Sequence, residues 1–244
     1  MPEGPSILLM KENLVPFTGQ KIIAVSGNAK VEKEILVKQK LLEIRTFGKQ
    51  TYLIFEKTNV RIHLLMFGSY SVNEQTKPDK SLRLSLEFKT GSMYFYTCSV
   101  KIVDDHFLNE IPWEADVLSD NWQPKAAKQK LKKIPEAMVC DALLNQDIFA
   151  GVGNIIKNEV LFRIGVQPES KVGNLPLVKT NELIKEARNY SFDFLKWKRD
   201  YVLKKHWLAH TKKTCPKCGQ PLVKKHTGNG KRRSFYCEND QKLY

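Results

Sequence analysis

The spacing of apolar residues changes character along the chain. Near the start, Ile7, Leu8, Leu14 and Val15 can share one face of a helix over residues 3 to about 17, which Pro16 and Gly19 would stop. Period two then takes over. "KIIAV", "QTYLIF" and "VRIHLLMF" are rich in strand-forming residues. "LRLSLEFKTGSMYFYT" alternates Leu82, Leu84, Leu86 and Phe88, turns at "KTGS" and resumes with Met93 and Phe95. These stretches predict a β-sandwich or barrel. "SDNWQPKAAKQKLKK" is polar and lysine-rich and reads as a linker, after which helical patterning runs from Glu136 to about Leu203. No internal repeat or low-complexity segment interrupts it. The expected architecture is α+β, with an N-terminal helix and β-sandwich over 1–120, a linker over 121–134, a helical domain over 135–210 and a C-terminal finger over 211–244.

Composition adds the compartment and the partner. At 244 residues with 42% apolar content the chain can fill real cores. No apolar run approaches the ~20 residues of a membrane span, and no basic start with an apolar stretch marks a leader, so a cytosolic protein without a membrane partner is expected. Cys98, Cys140, Cys215, Cys218 and Cys237 cannot all pair internally, and the closeness of two of them suits metal ligation in reducing surroundings. The 40 Lys and Arg against 26 Asp and Glu give +14. From Tyr201 to Tyr244, eleven basic residues face two acids, a local +9. That excess predicts a polyanion partner. Nucleic acid is preferred over a membrane surface because no basic amphipathic helix with a Trp/Leu face stands out.

Three segments carry candidate chemistry. In "LLNQDIFAGVGNIIKNEVLFRIGV", Gly151, Gly153 and Asn154 precede a helical run in which Ile156, Val160, Leu161 and Ile164 share a face. A glycine turn feeding a helix N-terminus offers backbone N–H groups to a phosphate, although such a turn is often only a connection. In the tail, Cys215 and Cys218 are followed, after an 18-residue spacer, by Cys237 and then Asp240. That is zinc-ribbon spacing for one structural zinc ion. Asp240 has the spacing of the fourth ligand; closure by His226 and a metal-free finger are the alternatives. The third segment is the start, "MPEGPS". Once methionine is removed, proline presents a secondary amine with a terminal-type pKa near ~8, a usable nucleophile at neutral pH.

Taken together, "PEGP", the Gly48-Lys49 pair before a strand, "GVGNIIKNEVLFRIG" and the terminal finger resemble a bacterial Fpg/Nei DNA glycosylase, in the right order over essentially the whole chain. The resemblance implies a helix-two-turn-helix domain over 135–210 and a zinc finger over 211–244. It also implies a monomer acting on double-stranded DNA with a damaged base or abasic site, in a nucleoid-associated bacterial setting. Pro2 would be the nucleophile, forming an iminium ion with the sugar C1′ and then driving β- and δ-elimination with no catalytic cofactor. Glu3 would relay protons, and Lys49 would contact phosphate and assist the leaving groups. Asn154, beside Gly153, resembles the residue that holds phosphates around the lesion. Arg232 resembles the finger arginine, and His63 a phosphate-contacting histidine. The chain departs from the family at Ser6, where a glutamate is usual, and at Ile156, where a tyrosine is common; the second reads as a packing change.

Damage class rests on "HLLMFG". Oxidised-purine enzymes of the family split their duplex-probing wedge between a methionine here and a later Arg-x-Phe, which "FYTCSVKIVDDHF" lacks. Enzymes resembling endonuclease VIII place three consecutive wedge residues before the glycine, where Leu65, Met66 and Phe67 stand. Strand alternation equally allows Leu65 or Phe67 to be core. Oxidised pyrimidines are the expected substrates. The alternatives are an oxidised-purine glycosylase, a non-catalytic damaged-DNA-binding protein, and a zinc-ribbon RNA-binding protein.

Overall fold

Glu3 takes extended backbone and Pro5 lies in the first turn of the helix it opens, α1 (Gly4–Leu14). There the missing proline N–H costs nothing, because the first amides of a helix lack intrahelical partners. A 3-10 turn, Val15–Phe17, ends it at Pro16. The computed structural model describes residues 2–244 and divides into two compact units, Met1–Ile111 and Pro112–Tyr244. The helix buries Ile7, Met10 and Leu14, whereas Leu8 is half-buried and Val15 is 46% exposed. The sequence reading missed Met10, which completes the i, i+3, i+7 stripe; Leu8 and Val15 each lie one residue, about 100°, further round.

Eight strands follow α1 in the first unit. They are β1 (Ala24–Ser26), β2 (Leu41–Phe47), β3 (Gln50–Phe55), β4 (Asn59–His63), β5 (Ser69–Val72), β6 (Leu82–Phe88), β7 (Gly91–Tyr96) and β8 (Ser99–Val103), and a short helix α2 (Asp105–Asn109) closes the unit. They form two antiparallel sheets, ordered β1-β6-β7-β5 and β2-β3-β4-β8. Leu84, Leu86 and Phe95 from one sheet and Ile44, Leu53, Val60 and Ile62 from the other join the α1 residues in a single core. That is the expected sandwich. Of "KIIAV" only the end enters β1, and "VRIHLLMF" leaves the sheet after His63. Phe47 pairs with Gln50, so Gly48 and Lys49 make a two-residue hairpin turn. Gly48 takes φ +57°, as the first central position of a II′-type turn requires.

In the second unit the stretch read as a linker is folded. Residues 121–134 contain α3 (Pro124–Lys132), which buries Ala127 and Leu131, and Trp122 enters the same core. Lysine content suggested a linker, but the one-turn spacing of Ala127 and Leu131 supplies an apolar stripe, and Pro124 suits a helix start. The boundary between units lies after Ile111 rather than near 120. Then come α4 (Val139–Leu144), α5 (Asn154–Ile164) and α6 (Leu177–Arg199). Gly165 ends α5 in the left-handed conformation (φ +68°) that a helix C-terminus favours. The finger is a hairpin of β9 (Val223–Thr227) and β10 (Arg232–Tyr236), with Thr227 opposite Arg232. The fold is therefore α+β: a β-sandwich unit, and a helical unit carrying a C-terminal hairpin. No helix is long and apolar enough to cross a membrane.

Candidate active site and metal centre

In the first unit the candidate residues lie at a helix start and at strand ends. Pro2 is half-buried, while Glu3, at the N-cap of α1, is 1% exposed. Its backbone carbonyl accepts the amides of Ser6 (2.8 Å) and Ile7 (3.3 Å), which holds the residue at the mouth of the helix. Ser6, the departure from the family pattern, is half-buried. Met1 lies outside the described residues, and with it the expected loss of the initiator methionine. Lys49 is half-buried at the hairpin tip. His63 ends β4, and its pKa is lowered, first by burial and then by the charges of Arg61 and Lys49. Lys49 and His63 therefore share one electrostatic neighbourhood.

After His63 the chain makes a locked turn. The Leu65 amide donates to His63 Nδ1 (3.0 Å), and the Gly68 amide donates to the Leu64 carbonyl (2.8 Å). A Cβ at Gly68 would fall 2.1 Å from that carbonyl oxygen, so only glycine fits. Leu65 itself adopts φ +53°. The result is three consecutive large apolar side chains turned outward, with Leu65 and Met66 each 47% exposed and Phe67 77% exposed. None of the three belongs to the core; Leu64 fills that role at 4% exposure.

In the second unit, Gln146 stitches the glycine turn by accepting the Gly151 amide (3.1 Å) and donating to the carbonyls of Leu144 (2.8 Å) and Val152 (3.1 Å). Gly151 needs its positive φ of 97°, and Gly153 is the extended N-cap of α5. Asn154 Nδ2 donates to the Arg233 carbonyl (2.9 Å) on β10, where Asn158 Nδ2 (3.3 Å) and Lys157 Nζ (3.3 Å) converge too. Lys157, fully buried, also donates to Ser234 Oγ (2.8 Å). These bonds join the start of α5 to the strand that carries Arg232. Asp141 shapes the hairpin tip, accepting the amides of Asn229 (2.8 Å) and Gly230 (3.4 Å). Ile156 is fully buried in the helical core, in keeping with a packing change.

Cys215, Cys218, Cys237 and Asp240 come together with one ligand atom each, all within 4.8 Å of one another. Asp240 Oδ2 accepts from Cys215 Sγ at 3.0 Å and from Cys237 Sγ at 3.3 Å, and the sulfurs of Cys218 and Cys237 are 3.4 Å apart. Those bonds, led by the Cys215 thiol, hold the Asp240 carboxyl below its ordinary pKa, while burial raises the Cys215 thiol. Zn–S bonds of about 2.3 Å in a tetrahedron put sulfurs slightly under 4 Å apart, so this donor set fits a zinc ion. His226 is not among the four; it stands on β9 opposite Arg233.

The sequence reading singled out neither the contacts of Lys157 and Asn158 with β10 nor the role of Glu159. Fully buried in α5, Glu159 accepts the amides of Leu208 (2.8 Å), Ala209 (3.0 Å) and His210 (2.7 Å). A signal was available: "KNE" puts three polar residues in a row inside an apolar helix, and three successive positions cannot all face water when the helix is buried all round.

Two family descriptions match this chain: the formamidopyrimidine-DNA glycosylase N-terminal domain over residues 1–101 and the formamidopyrimidine-DNA glycosylase H2TH domain over residues 114–190. Endonuclease 8-like 3 of Mus musculus is 30% identical over 206 residues, which cover 82% of this chain and 34% of that protein. The chain thus spans about a third of the length of that relative and of its Bos taurus counterpart, where the share is also 34%. Formamidopyrimidine-DNA glycosylase of Mycoplasma mobile is 28% identical, with all of both chains covered. Among solved structures, Lactococcus lactis formamidopyrimidine DNA glycosylase non-covalently bound to DNA containing an AP site superimposes with a TM-score of 0.86. It is 20% identical and covers 98% of this chain and 99% of that one. A viral DNA glycosylase gives a TM-score of 0.85 at 20% identity, covering 98% and 100%.

Proposed function

Because the chain belongs to the Fpg/Nei family of DNA glycosylases, we propose that it excises oxidised bases, pyrimidines above all, from double-stranded DNA in base excision repair and cleaves the resulting abasic site. The observation that carries this reading is an acid only 1% exposed, Glu3, at the mouth of α1 and directly after Pro2, whose nitrogen becomes a secondary amine once Met1 is removed. A buried carboxyl next to a secondary amine is a proton relay beside a nucleophile.

The steps follow from those two groups. The Pro2 nitrogen forms a bond to the sugar C1′ while the glycosidic C–N bond breaks, and the base departs with that electron pair and a proton. The proton that leaves with the base is the one the Pro2 nitrogen gives up, so the Glu3 carboxyl keeps its own. Glu3 then donates a proton to the ring oxygen, the C1′–O4′ bond opens, and an iminium ion joins Pro2 to the ring-opened sugar. As an electron sink the iminium acidifies C2′. The Glu3 carboxylate takes a C2′ proton, and the 3′ phosphate leaves. A second elimination through C4′ releases the 5′ phosphate, and hydrolysis of the imine restores Pro2. Lys49, in one electrostatic neighbourhood with His63, offers positive charge to the departing phosphates. The lowered pKa of His63 keeps its ring neutral at physiological pH, where it acts as a hydrogen-bonding group.

Binding rests on the second unit. Asn154 and Arg232 grip the backbone, and the bonds from α5 to the Arg233 carbonyl hold both on one frame. Cys215, Cys218, Cys237 and Asp240 would hold one structural zinc, whose contribution is to fix the finger loops without entering the reaction. Leu65, Met66 and Phe67 favour pyrimidine lesions, since three adjacent exposed apolar side chains can fill the gap of a flipped nucleotide and offset an unstacking cost of a few kcal/mol. The test compares excision from duplexes carrying 5-hydroxyuracil or 8-oxoguanine. Faster release of 5-hydroxyuracil is expected, with a larger loss for Phe67→Ala on that substrate. Preference for 8-oxoguanine would assign the chain to the purine branch, and loss of neither base would make it a binding protein.

A further inference from the structure

Two adjacent depressions on the helical unit share no residue with the candidate active site or the metal centre. The first, of about 370 Å³, lies between α3 and α6 over an apolar floor of Trp122, Pro124 and Ile184. The second, of about 290 Å³, continues along the same helices over Leu131, Val172, Leu175 and Leu177. Lys128 borders both. The rim is uniformly positive. Lys125, Lys185 and Arg188 edge the first depression and Lys132 the second, and no acidic side chain among the described residues lines either. No carboxylate of the described residues pairs with those cations; Arg188 spends one arm on the carbonyls of Val117 and Ser119, at 2.8 Å each. Leu177 on the second floor is 63% exposed, and outside the floors Val178 is 58% exposed and Phe192, beneath the Arg188 guanidinium, 40% exposed.

We propose that this groove docks an acidic peptide segment of another protein, one that places two large apolar side chains in the two depressions and carboxylates on the lysine rim. Charge complementarity selects an anion, and the floors select among anions. A nucleic-acid backbone could satisfy the cations, but its small, oxygen-flanked sugar CH groups project no large apolar side chain into two hollows, and burying apolar surface is what such hollows contribute. A single small anion would occupy one depression and leave the other empty. An extended or helical peptide with spaced apolar anchors among acids reaches both.

The test uses the full chain and fluorescein-labelled synthetic peptides of about a dozen residues, the length of a groove-bound motif. Each is rich in Asp and Glu and carries two leucines, at a spacing varied across the set. Controls have both leucines replaced by serine at equal charge. Anisotropy titrations should show saturable binding by at least one leucine peptide, with its serine control about tenfold weaker or worse. Lys125→Glu combined with Lys185→Glu, both exposed positions, should weaken that peptide about tenfold while affinity for an abasic duplex stays within about twofold. Leu177→Ser, which removes an exposed apolar contact without touching charge, should weaken it too. Equal binding by leucine and serine peptides, no saturable binding by any peptide, or full displacement by oligothymidylate of matching charge would each overturn the proposal; the last outcome would make the groove a nucleic-acid surface.

Discussion

Replacing Glu159 with alanine tests how the finger is anchored. Its fully buried carboxylate takes three consecutive backbone amides, Leu208 at 2.8 Å, Ala209 at 3.0 Å and His210 at 2.7 Å, in the segment that leads to the finger. Each donor stranded without a partner costs roughly 1–3 kcal/mol. The Ala209 amide is buried and bears the full penalty, whereas the other two are partly accessible and can recover water, so a loss of about 4 kcal/mol is expected. That is a large share of a domain stability of about 5–15 kcal/mol. All four tryptophans, Trp113, Trp122, Trp197 and Trp207, lie in the second unit, so their fluorescence follows its unfolding alone. With a urea slope of about 2 kcal/mol/M, the midpoint of Glu159→Ala should fall by about 2 M. Glu159→Gln, which keeps an acceptor oxygen but loses the charge, should fall between. A midpoint within about 0.25 M of the parent, equivalent to about 0.5 kcal/mol, would refute the anchoring role.

Acid should loosen the same unit. Burial, then the charge of Lys157, lowers the His210 pKa from 6.5 to about 4. Between those values the unfolded state holds more protons than the folded one, so the stability contributed by the neutral ring is complete above pH 6.5 and is lost as pH falls towards 4. Urea midpoints by tryptophan fluorescence at pH 7 and pH 5 should show the decline, and His210→Gln should flatten it; an unchanged slope with pH would assign the acid response elsewhere. Arg232→Ala should weaken duplex binding and reduce the slope of log K against log salt by about 0.9, one phosphate, with the urea midpoint retained. An unaltered salt slope would remove Arg232 from the interface. For the finger, metal analysis should give one zinc per chain, and Asp240→Ala should release it to a chelator far faster than the parent does; equal retention would mean that Asp240 is not a ligand.

What the sequence displayed depends on whether the relevant physics is local. Strand alternation from Leu82 to Phe95 and the cysteine spacing of the finger are short-range patterns, and each is realised in the structure. The outward turn of Leu65, Met66 and Phe67 was open because alternation continued on paper past His63, whereas the Gly68 amide bond to Leu64 ends the strand. The segment 121–134 was misread because lysine content was weighed above the spacing of Ala127 and Leu131. The partners of Lys157 and Asn158 on β10 lie more than seventy residues away in the chain, and no local rule names them. Strand register, which sets His226 opposite Arg233, is likewise a pairing that cysteine spacing alone does not reveal.

The central claim, that the Pro2 amine is the nucleophile, is tested most directly by borohydride trapping on a duplex containing an abasic site. Protein with a free N-terminal proline should give a covalent adduct, because reduction fixes the iminium. Protein carrying an N-terminal extension should give none, since an amide nitrogen cannot attack, while still binding the duplex through Asn154 and Arg232. Lys49→Ala with a free terminus should still trap, and should turn over the damaged base more slowly. Efficient trapping by the extended protein would contradict the account and transfer the nucleophile to an internal lysine.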